Sequence, residues 1–301
     1  MRRVFLTGGS GFIGRRLIDA LRSRGVSLVL LDRSGALAPL GTQPGIEVVA
    51  GDVLEPERYA VALSAADAVV HLAAATGKAS AQEHMRTNAA GTEALLEQCR
   101  SRGVERFLFV SSIAAKFPDT RDYPYAQAKR RAEAAVRASG LRWVILRPTM
   151  VLGPGSPILN ALEKLAGLPM LPIFGDGTTP VQPIHVDDLV AFITAVLEED
   201  RFERETLELG GARQLTIEEL VQEIRKARRG ARGRPVHLPL AAILPALRVA
   251  ESVGLGGVLP VTAGQLSTFR FDGTIESNPL HESRRGRLRD IREMLALKPA
   301  A

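Results

Sequence analysis

Cysteine is nearly missing from this chain, since Cys99 is the single cysteine among 301 residues. A disulfide framework is therefore excluded, and a reducing compartment, the cytoplasm, is the expected location. Cys99 falls in the helical pattern TEALLEQCR, which favours a packing role. The five histidines lack ligand-like spacing with each other and with Cys99, so the sequence predicts no metal site.

Long uninterrupted apolar runs are also missing. The most apolar stretch, 236–262, is broken by Pro239, Pro245, Arg248, Glu251 and glycines, whereas a membrane span needs about 18 apolar residues in a row. We therefore expect no spanning segment. Three alternatives stay open for 236–262: a helix that caps a substrate lobe, a surface for a partner or for a second copy in a homodimer, and a peripheral membrane contact.

Aromatic residues make up only 5% of the chain, and the formal net charge is +6. The basic residues are mostly arginines, are mixed with acidic residues and lack the aromatic neighbours of a nucleic-acid surface. A solvated surface and no nucleic-acid partner are expected. The hydrophobic share of 46% is enough for one large core or two smaller lobes.

A glycine motif opens the chain. The segment LTGGSGFIG at 6–14 follows an apolar run and precedes an amphipathic helical pattern, so its glycines lie at a strand-to-helix turn. This context is typical of the first βα unit of a dinucleotide-binding fold. Gly8 would allow the tight turn, Gly11 the approach of a pyrophosphate to the backbone, and Gly14 close packing of helix and strand.

The next strand pattern, VSLVLLD, ends in Asp32. A carboxylate there can accept hydrogen bonds from both ribose hydroxyls of an adenosine, which favours NAD over NADP. Arg33 is next to it and offers an alternative, because a guanidinium could bind a 2′-phosphate.

Strand and helix patterns alternate through about residue 150, and continuous apolar strands such as RFLFVSS suit a parallel sheet covered on both faces. The predicted fold is α/β, a doubly wound parallel (Rossmann) sheet with a smaller C-terminal substrate lobe. Residues 1–150 would form the dinucleotide-binding domain, to which 184–200 returns, and 151–301 mainly the substrate lobe. The predicted strands are 3–7, 26–32, 46–50, 67–72, 104–111 and 142–147, and the predicted helices are 12–24, 55–64, 83–101 and 125–139.

Tyr125 and Lys129, in PYAQAK, are the candidate catalytic pair. Four residues apart on a helix they share a face, so the ammonium can favour the phenolate and reach a nicotinamide ribose. Ser112 ends the strand RFLFVSS at the carboxyl edge of the sheet, where its hydroxyl could bond the reacting oxygen. Ser111 is the competing candidate, because only one of the two can face the cleft.

With these residues the chain resembles the short-chain dehydrogenase/reductase superfamily, in its NAD-dependent epimerase/dehydratase (extended or atypical) branch. The resemblance rests on TGGSGFIG, GDV at 51–53, HLAA at 71–74, TNAAGT at 87–92, YAQAK, RPTMVLGPG at 147–155 and HVDDLV at 185–190. It runs through about residue 225. Only 12 residues separate Ser112 from Tyr125, fewer than in typical sugar epimerases, which weakens a sugar assignment.

The resemblance implies cofactor contacts position by position. Asp52 could instead only cap a turn, and Asn88 could be a polar residue inside a helix. The implied cofactor contacts are Gly8, Gly11, Phe12, Ile13 and Gly14 at the pyrophosphate, Asp52 and Val53 at the adenine, Leu72, Ala73, Ala74 and Asn88 along the groove, and Pro148, Met150, Tyr125 and Lys129 at the nicotinamide end.

The implied function is NAD(P)-dependent oxidation, reduction, epimerisation or dehydration by hydride transfer, with a Ser112–Tyr125–Lys129 proton relay. The substrate would be a small carbonyl or carbinol compound, with a nucleotide sugar as one example. The alternative is a nicotinamide-binding structural, assembly or redox-sensing protein, as among atypical members of the superfamily.

Overall fold

The computed structural model describes residues 3–199, 201–253 and 262–295. The chain divides into two compact units. The first contains Met1–Ala115, Tyr125–Arg147 and Leu189–Leu207, and the second contains Lys116–Pro124, Pro148–Asp188 and Glu208–Ala301. The substrate role proposed for the C-terminal lobe stays a prediction.

The first unit is built on a seven-stranded sheet with the order β11-β6-β5-β4-β1-β2-β3. The pairings from β6 through β5, β4, β1 and β2 to β3 are parallel, as the continuous apolar strands predicted. Its strands are β1 (Arg3–Thr7), β2 (Ser27–Asp32), β3 (Ile46–Ala50), β4 (Ala68–His71), β5 (Arg106–Val110), β6 (Arg142–Pro148) and β11 (Glu205–Leu209).

The described helices are α1 (Phe12–Arg22), α2 (Pro56–Leu63), α3 (Ala81–His84), α4 (Gly91–Ser101), α5 (Pro124–Ala138), α6 (Pro157–Ala166), α7 (Val186–Glu198), α8 (Ile217–Arg229), α9 (Leu240–Ser252), α10 (Ala263–Ser267), α11 (Pro279–Arg284) and α12 (Ile291–Leu295). The predicted helix 83–101 is in fact two helices, α3 and α4, joined by a π-helical turn, Met85–Ala90. Apolar periodicity did not reveal this turn, because a single wider turn lies between two segments that are each helical.

Strand order explains where a ligand can enter. The chain moves from β1 to β2 in one direction and from β4 to β5 in the other. Because parallel crossovers are right-handed, helices from the two halves lie on opposite faces, and a crevice opens between β1 and β4 at their carboxyl ends. Side chains of α2, α4 and α5 share one core with the sheet, including Tyr59, Leu95, Cys99 and Val136.

The second unit has its own core between α6, α8 and α12, centred on Leu162, Leu171, Leu220 and Ile224. Helix α8 begins with a capping box between Thr216 and Glu219 and ends at Gly230 in the left-handed region. Its short strands are β7 (Val151–Leu152), β8 (Leu171–Phe174), β9 (Pro180–Val181), β10 (Ile184–His185), β12 (Leu215–Thr216) and β13 (Pro235–Leu238).

Of the apolar stretch 236–262, the structure shows the end of β13 and all of α9, while 254–261 lie outside the described residues. Helix α9 packs through Leu244 on Ala263 and Leu266 of α10. In the part of the chain that the structure describes, no helix combines the length and apolarity of a membrane span.

Candidate functional site

The glycine loop forms a tight cradle between β1 and α1. Gly8 has a φ of +73°, and a Cβ on it would lie 2.6 Å from the backbone nitrogen of Ala73. A Cβ on Gly14 would lie 2.2 Å from the carbonyl oxygen of Gly8. Any side chain at either position would therefore force the backbone apart.

Gly11 is the N-cap residue of helix α1, so the helix starts without a side-chain cap. The first N–H groups of a helix have no partner inside the helix, and together with the helix dipole they attract a phosphate. An uncapped start beside a glycine cradle fits the pyrophosphate of a dinucleotide.

A groove of about 180 Å³ runs from this loop along the carboxyl ends of β1, β2 and β4. Eight of the residues predicted to contact the cofactor line it: Gly8, Gly11, Arg33, Asp52, Val53, Leu72, Ala73 and Ala74. The sequence analysis missed five others: Thr7, Ser10, Leu31, Gly51 and Thr87.

Asp32 is buried and does not line this groove. One carboxylate oxygen accepts from the backbone and hydroxyl of Ser34 at 3.1 and 3.0 Å, and the other accepts from the backbone of Leu37 at 2.7 Å. The carboxylate therefore braces the loop after β2, and its contact with a ribose stays a prediction.

Asp52 caps a turn and also lines the groove, while its contact with an adenine stays a prediction. Its Oδ1 accepts from the backbone of Leu54 at 3.0 Å, and its own N–H donates to Glu55 at 3.0 Å, so it caps the turn that precedes α2. It also lines the groove, where its Oδ2 lies 3.5 Å from the guanidinium of the exposed Arg33. Arg33 and Asp52 thus face the same end of the groove.

Asn88, in the π-helical turn, holds the chain segment that follows β4. Its Oδ1 accepts from the N–H of Ala75 at 2.6 Å, and its Nδ2 donates to the carbonyl of Ala75 at 2.9 Å. The ring of His84 reaches the same carbonyl at 3.1 Å and packs edge-on against Tyr125, with 5.6 Å between ring centroids. His84 did not stand out in the sequence.

A chain of hydrogen bonds crosses the sheet below the groove. Thr92 donates its hydroxyl proton to the carbonyl of Asn88 at 2.7 Å, so it must accept from Nε2–H of His71 at 2.9 Å. Nδ1 of His71 then accepts from Thr7 at 2.6 Å. Burial and, to a smaller extent, the nearby Lys129 together lower the pKa of His71 to about 3, so the ring is neutral.

Ser112, Tyr125 and Lys129 come together in the first unit. The side chains of Ser112 and Tyr125 are hydrogen-bonded, and the Nζ of Lys129 lies 6.0 Å from the centre of the Tyr125 ring. Lys129 is buried, donates to the carbonyl of Val110 at 2.9 Å and lies 4.7 Å from the centre of the Phe109 ring.

Burial favours the neutral form of both Tyr125 and Lys129. It raises the pKa of Tyr125 to about 12, and the hydrogen bond from Ser112 offsets part of this shift. Burial also lowers the pKa of Lys129, the carboxylate of Glu133 opposes this shift, and the net value is about 8. A bound cation or dinucleotide beside these groups would therefore change how readily they exchange protons.

Ser111 points away from Ser112 and donates to the buried carboxylate of Glu133 at 2.7 Å. Arg147 donates to both oxygens of Glu133, at 2.9 and 2.7 Å, and Arg137 adds a bond at 2.9 Å. Glu133 was not predicted, although its position one helical turn after Lys129 was a signal. It joins α5, which carries Tyr125, to the ends of β5 and β6.

The remaining predicted contacts are spread over both units. Phe12 is partly buried in the first turn of α1, where the guanidinium of Arg16 lies 5.0 Å from its ring centre, and Ile13 follows it. Pro148 and Met150 belong to the second unit, where Met150 packs against the core. Their contacts with a cofactor stay predictions.

Residues 4–210 match the sequence model of a known family, which is described as the NAD dependent epimerase/dehydratase family. The chain belongs to this family. The matched region contains the glycine loop, the groove and the Ser112, Tyr125 and Lys129 cluster.

Among individual relatives, a ceramide reductase of Caulobacter vibrioides is 34% identical over 193 residues, which are 64% of this chain and 60% of the relative. A dTDP-glucose 4,6-dehydratase of Streptomyces niveus is 31% identical over 264 residues, 75% of this chain and 77% of the relative. The chain thus spans about three fifths of the length of the reductase.

A solved structure, MoeE5 in complex with UDP-glucuronic acid and NAD, is 28% identical and has a TM-score of 0.66. The match covers 79% of this chain and 85% of the solved chain. NAD is therefore bound by a close structural neighbour of this fold.

Proposed function

We propose that this chain is an NAD-dependent oxidoreductase that interconverts a carbonyl and a carbinol. The observation that carries the proposal is the hydrogen-bonded pair Ser112 and Tyr125 with Lys129 one helical turn away, in the same unit as the groove beside the glycine loop. The family membership and the uncapped start of α1 support NAD as the cofactor.

Bound NAD would accept or supply the hydride at the substrate carbon. Tyr125 would exchange the proton of the substrate oxygen, as a general acid in reduction and as a general base in oxidation. Its raised pKa keeps the phenol protonated at neutral pH, which suits reduction. In the oxidising direction, the positive charges of Lys129 and of the nicotinamide would stabilise the phenolate. Ser112 would hold the reacting oxygen by a hydrogen bond.

The substrate class stays open between two chemistries that the relatives' names suggest. One relative is named as a reductase of ceramide and another as a dehydratase of dTDP-glucose. The short connection between Ser112 and Tyr125 favours a substrate other than a nucleotide sugar. A panel of long-chain ketones and nucleotide sugars, assayed with NAD or NADH, would decide between these classes.

Tyr125→Phe tests the proposed chemistry. It should lower kcat by about a hundredfold or more, because the proton donor is lost, while NAD binding and the unfolding midpoint stay close to wild type. Tyr123→Phe is the matched control, since Tyr123 has no lysine four residues later, and it should retain turnover.

Near-normal rates for Tyr125→Phe on an established substrate would contradict the proposed role. Tight NAD binding by the wild-type chain without turnover of any panel member would instead favour the structural or redox-sensing alternative.

A further inference from the structure

A second surface, distant in sequence from the cofactor groove, combines positive charge with exposed apolar side chains. It consists of residues 163–170, the end of α6 and the loop after it, and residues 223–234, the end of α8 and the segment leading to β13. We call it the basic–apolar surface. Both segments belong to the second unit.

The two segments form one surface because arginines of α8 bind the loop after α6. Arg225 donates to the carbonyls of Ala166, Leu168 and Pro169, and Arg229 donates to the carbonyl of Gly167. The backbone of Leu171, the first residue of β8, donates to the carbonyl of Arg234 at 3.1 Å. The loop and the basic segment are thereby fixed beside each other.

The charge of this surface accounts for most of the net charge of the molecule. Its two segments contain seven basic and two acidic residues, a balance of +5, whereas the whole chain has +6. The two acids, Glu163 and Glu223, pair with Arg228 and Arg232. The basic residues are Lys164, Arg225, Lys226, Arg228, Arg229, Arg232 and Arg234.

Exposed apolar side chains lie in the loop that Arg225 and Arg229 bind. Leu168 is 45% exposed and Met170 is 63% exposed, and Pro169 between them is also exposed. Arg225 and Arg229 donate hydrogen bonds to the carbonyls of the loop. These bonds hold the loop backbone in place while Leu168 and Met170 stay exposed. The loop therefore presents apolar groups on a fixed backbone.

Helix stabilisation alone does not explain this arrangement. Basic residues in the last turn of α8 offset the helix dipole, but Arg232 and Arg234 lie beyond the end of the helix, and the dipole gives no reason for exposing Leu168 and Met170. Neither segment contains an aromatic side chain on which single-stranded bases could stack. Phosphates of a duplex would use the cations but give no reason for exposing Leu168 and Met170.

From this combination we infer that the basic–apolar surface docks the protein onto an anionic lipid bilayer. The cations would lie among anionic headgroups, where each Lys or Arg adds to the attraction, and Leu168 and Met170 would enter the boundary between headgroups and acyl chains. This docking is independent of the proposed function, because it uses none of the groove or relay residues.

Sedimentation of the full chain with vesicles tests the inference. Vesicles of phosphatidylcholine with about 30% phosphatidylglycerol should bind the protein at low salt, and pure phosphatidylcholine vesicles should not. The triple variant Lys164→Gln, Lys226→Gln and Arg234→Gln should lower the partition coefficient about tenfold or more. The double variant Leu168→Ser and Met170→Ser should lower it to a similar extent.

Matched controls remove exposed groups elsewhere. Arg22→Gln, Arg102→Gln and Arg213→Gln together remove three exposed charges, and Val61→Ser removes a side chain that is 78% exposed. Both controls should bind vesicles at least half as well as wild type, and thermal unfolding should show that all variants are folded.

Three outcomes would overturn the inference. The first is equal binding to neutral and anionic vesicles, and the second is no effect of the Leu168 and Met170 double variant. The third is binding to heparin or duplex DNA that is as tight as binding to anionic vesicles and insensitive to the same double variant, which would point to a polyanion as the partner.

Discussion

Lys129 is a cation that the protein encloses among apolar and aromatic groups. Its ammonium has one backbone carbonyl and the face of Phe109 as near neighbours, and the carboxylate of Glu133 contributes from one turn further along α5. An isolated charge in such surroundings is costly. The lysine lowers the stability of the fold, so we infer that its charge near Tyr125 serves the function of the protein.

This cost should be visible in the pH dependence of stability. The unfolded chain holds the Lys129 proton up to its ordinary pKa of 10.5, whereas the folded chain releases it near 8. Between these values the unfolded state binds more protons, so the contribution of Lys129 to stability rises with pH. The shift corresponds to roughly 3 kcal/mol.

Urea unfolding of wild type and Lys129→Met should therefore give a difference that depends on pH. The variant should be the more stable at pH 7.5, by up to that amount, and its advantage should shrink as the pH approaches 10.5. A difference that stays constant over this range would show that burial does not perturb the lysine.

Among the elements, the π-helical turn Met85–Ala90 has the clearest effect on the groove. It places Asn88 so that one amide satisfies both the N–H and the carbonyl of Ala75, directly after the groove residues Leu72, Ala73 and Ala74. A regular helix would rotate this side chain relative to its neighbours. The turn thus determines the position of one wall of the groove.

Asn88→Ala should destabilise the protein by about 1 to 3 kcal/mol, because the buried N–H of Ala75 loses its partner and the carbonyl of Ala75 keeps only the ring of His84. It should also weaken NAD binding, since the adjacent wall loosens. Denaturant unfolding and titration calorimetry measure the two effects. Asn160→Ala, at an exposed position of α6, should change stability by less than about 0.5 kcal/mol.

The elements also separate what the sequence could predict from what it could not. Strands β1 to β6 agree with prediction to within two residues, as in Arg106–Val110 against 104–111, because strong apolar runs between glycines and polar turns specify them. The seventh strand of this sheet, β11 (Glu205–Leu209), was not predicted. The two-residue strands β7, β9, β10 and β12 are too short to have a periodicity.

At the site, the sequence predicted residues whose position follows from one turn or one helix, such as Gly8, Gly14 and the pair Tyr125 and Lys129. It could not predict Asp32 turning toward the loop at Ser34, or His84 packing on Tyr125, since these depend on contacts made after folding. Ser111 and Ser112 were separated by the structure, where Glu133 binds one and Tyr125 the other.

In the molecule as a whole, Glu133 is the junction that joins α5 to the central sheet. It is fully buried and receives bonds from Ser111, Arg137 and Arg147. Burial disfavours its charge, but the hydrogen bonds from Arg147 and Ser111 outweigh this and keep the pKa of its carboxyl below the usual value.

Glu133→Gln should cost about 1.5 to 3 kcal/mol of stability, because the charge-assisted hydrogen bonds from Arg137 and Arg147 to the buried carboxylate are lost. Since the folded carboxyl has a lowered pKa, the loss should be largest above pH 5 and should shrink as acid protonates the wild-type carboxylate. Glu97→Gln breaks an exposed ion pair with Arg100 and should cost less than about 1 kcal/mol.

If Glu133→Gln and Glu97→Gln had equal effects on the free energy of unfolding, the buried cluster would not be the junction described here. Urea titrations of both variants at pH 4 and pH 7 make this comparison.

The way the first unit is distributed along the chain has a consequence for the order of folding. Strands β1 to β4 and the glycine loop all come from the first 71 residues, so the half of the sheet that borders the groove closes only short loops. The opposite edge, β11, joins β6 across the long segment between Pro148 and Glu205. On a ribosome, the nucleotide-binding half can therefore pair its strands while the edge that completes the sheet is still unmade.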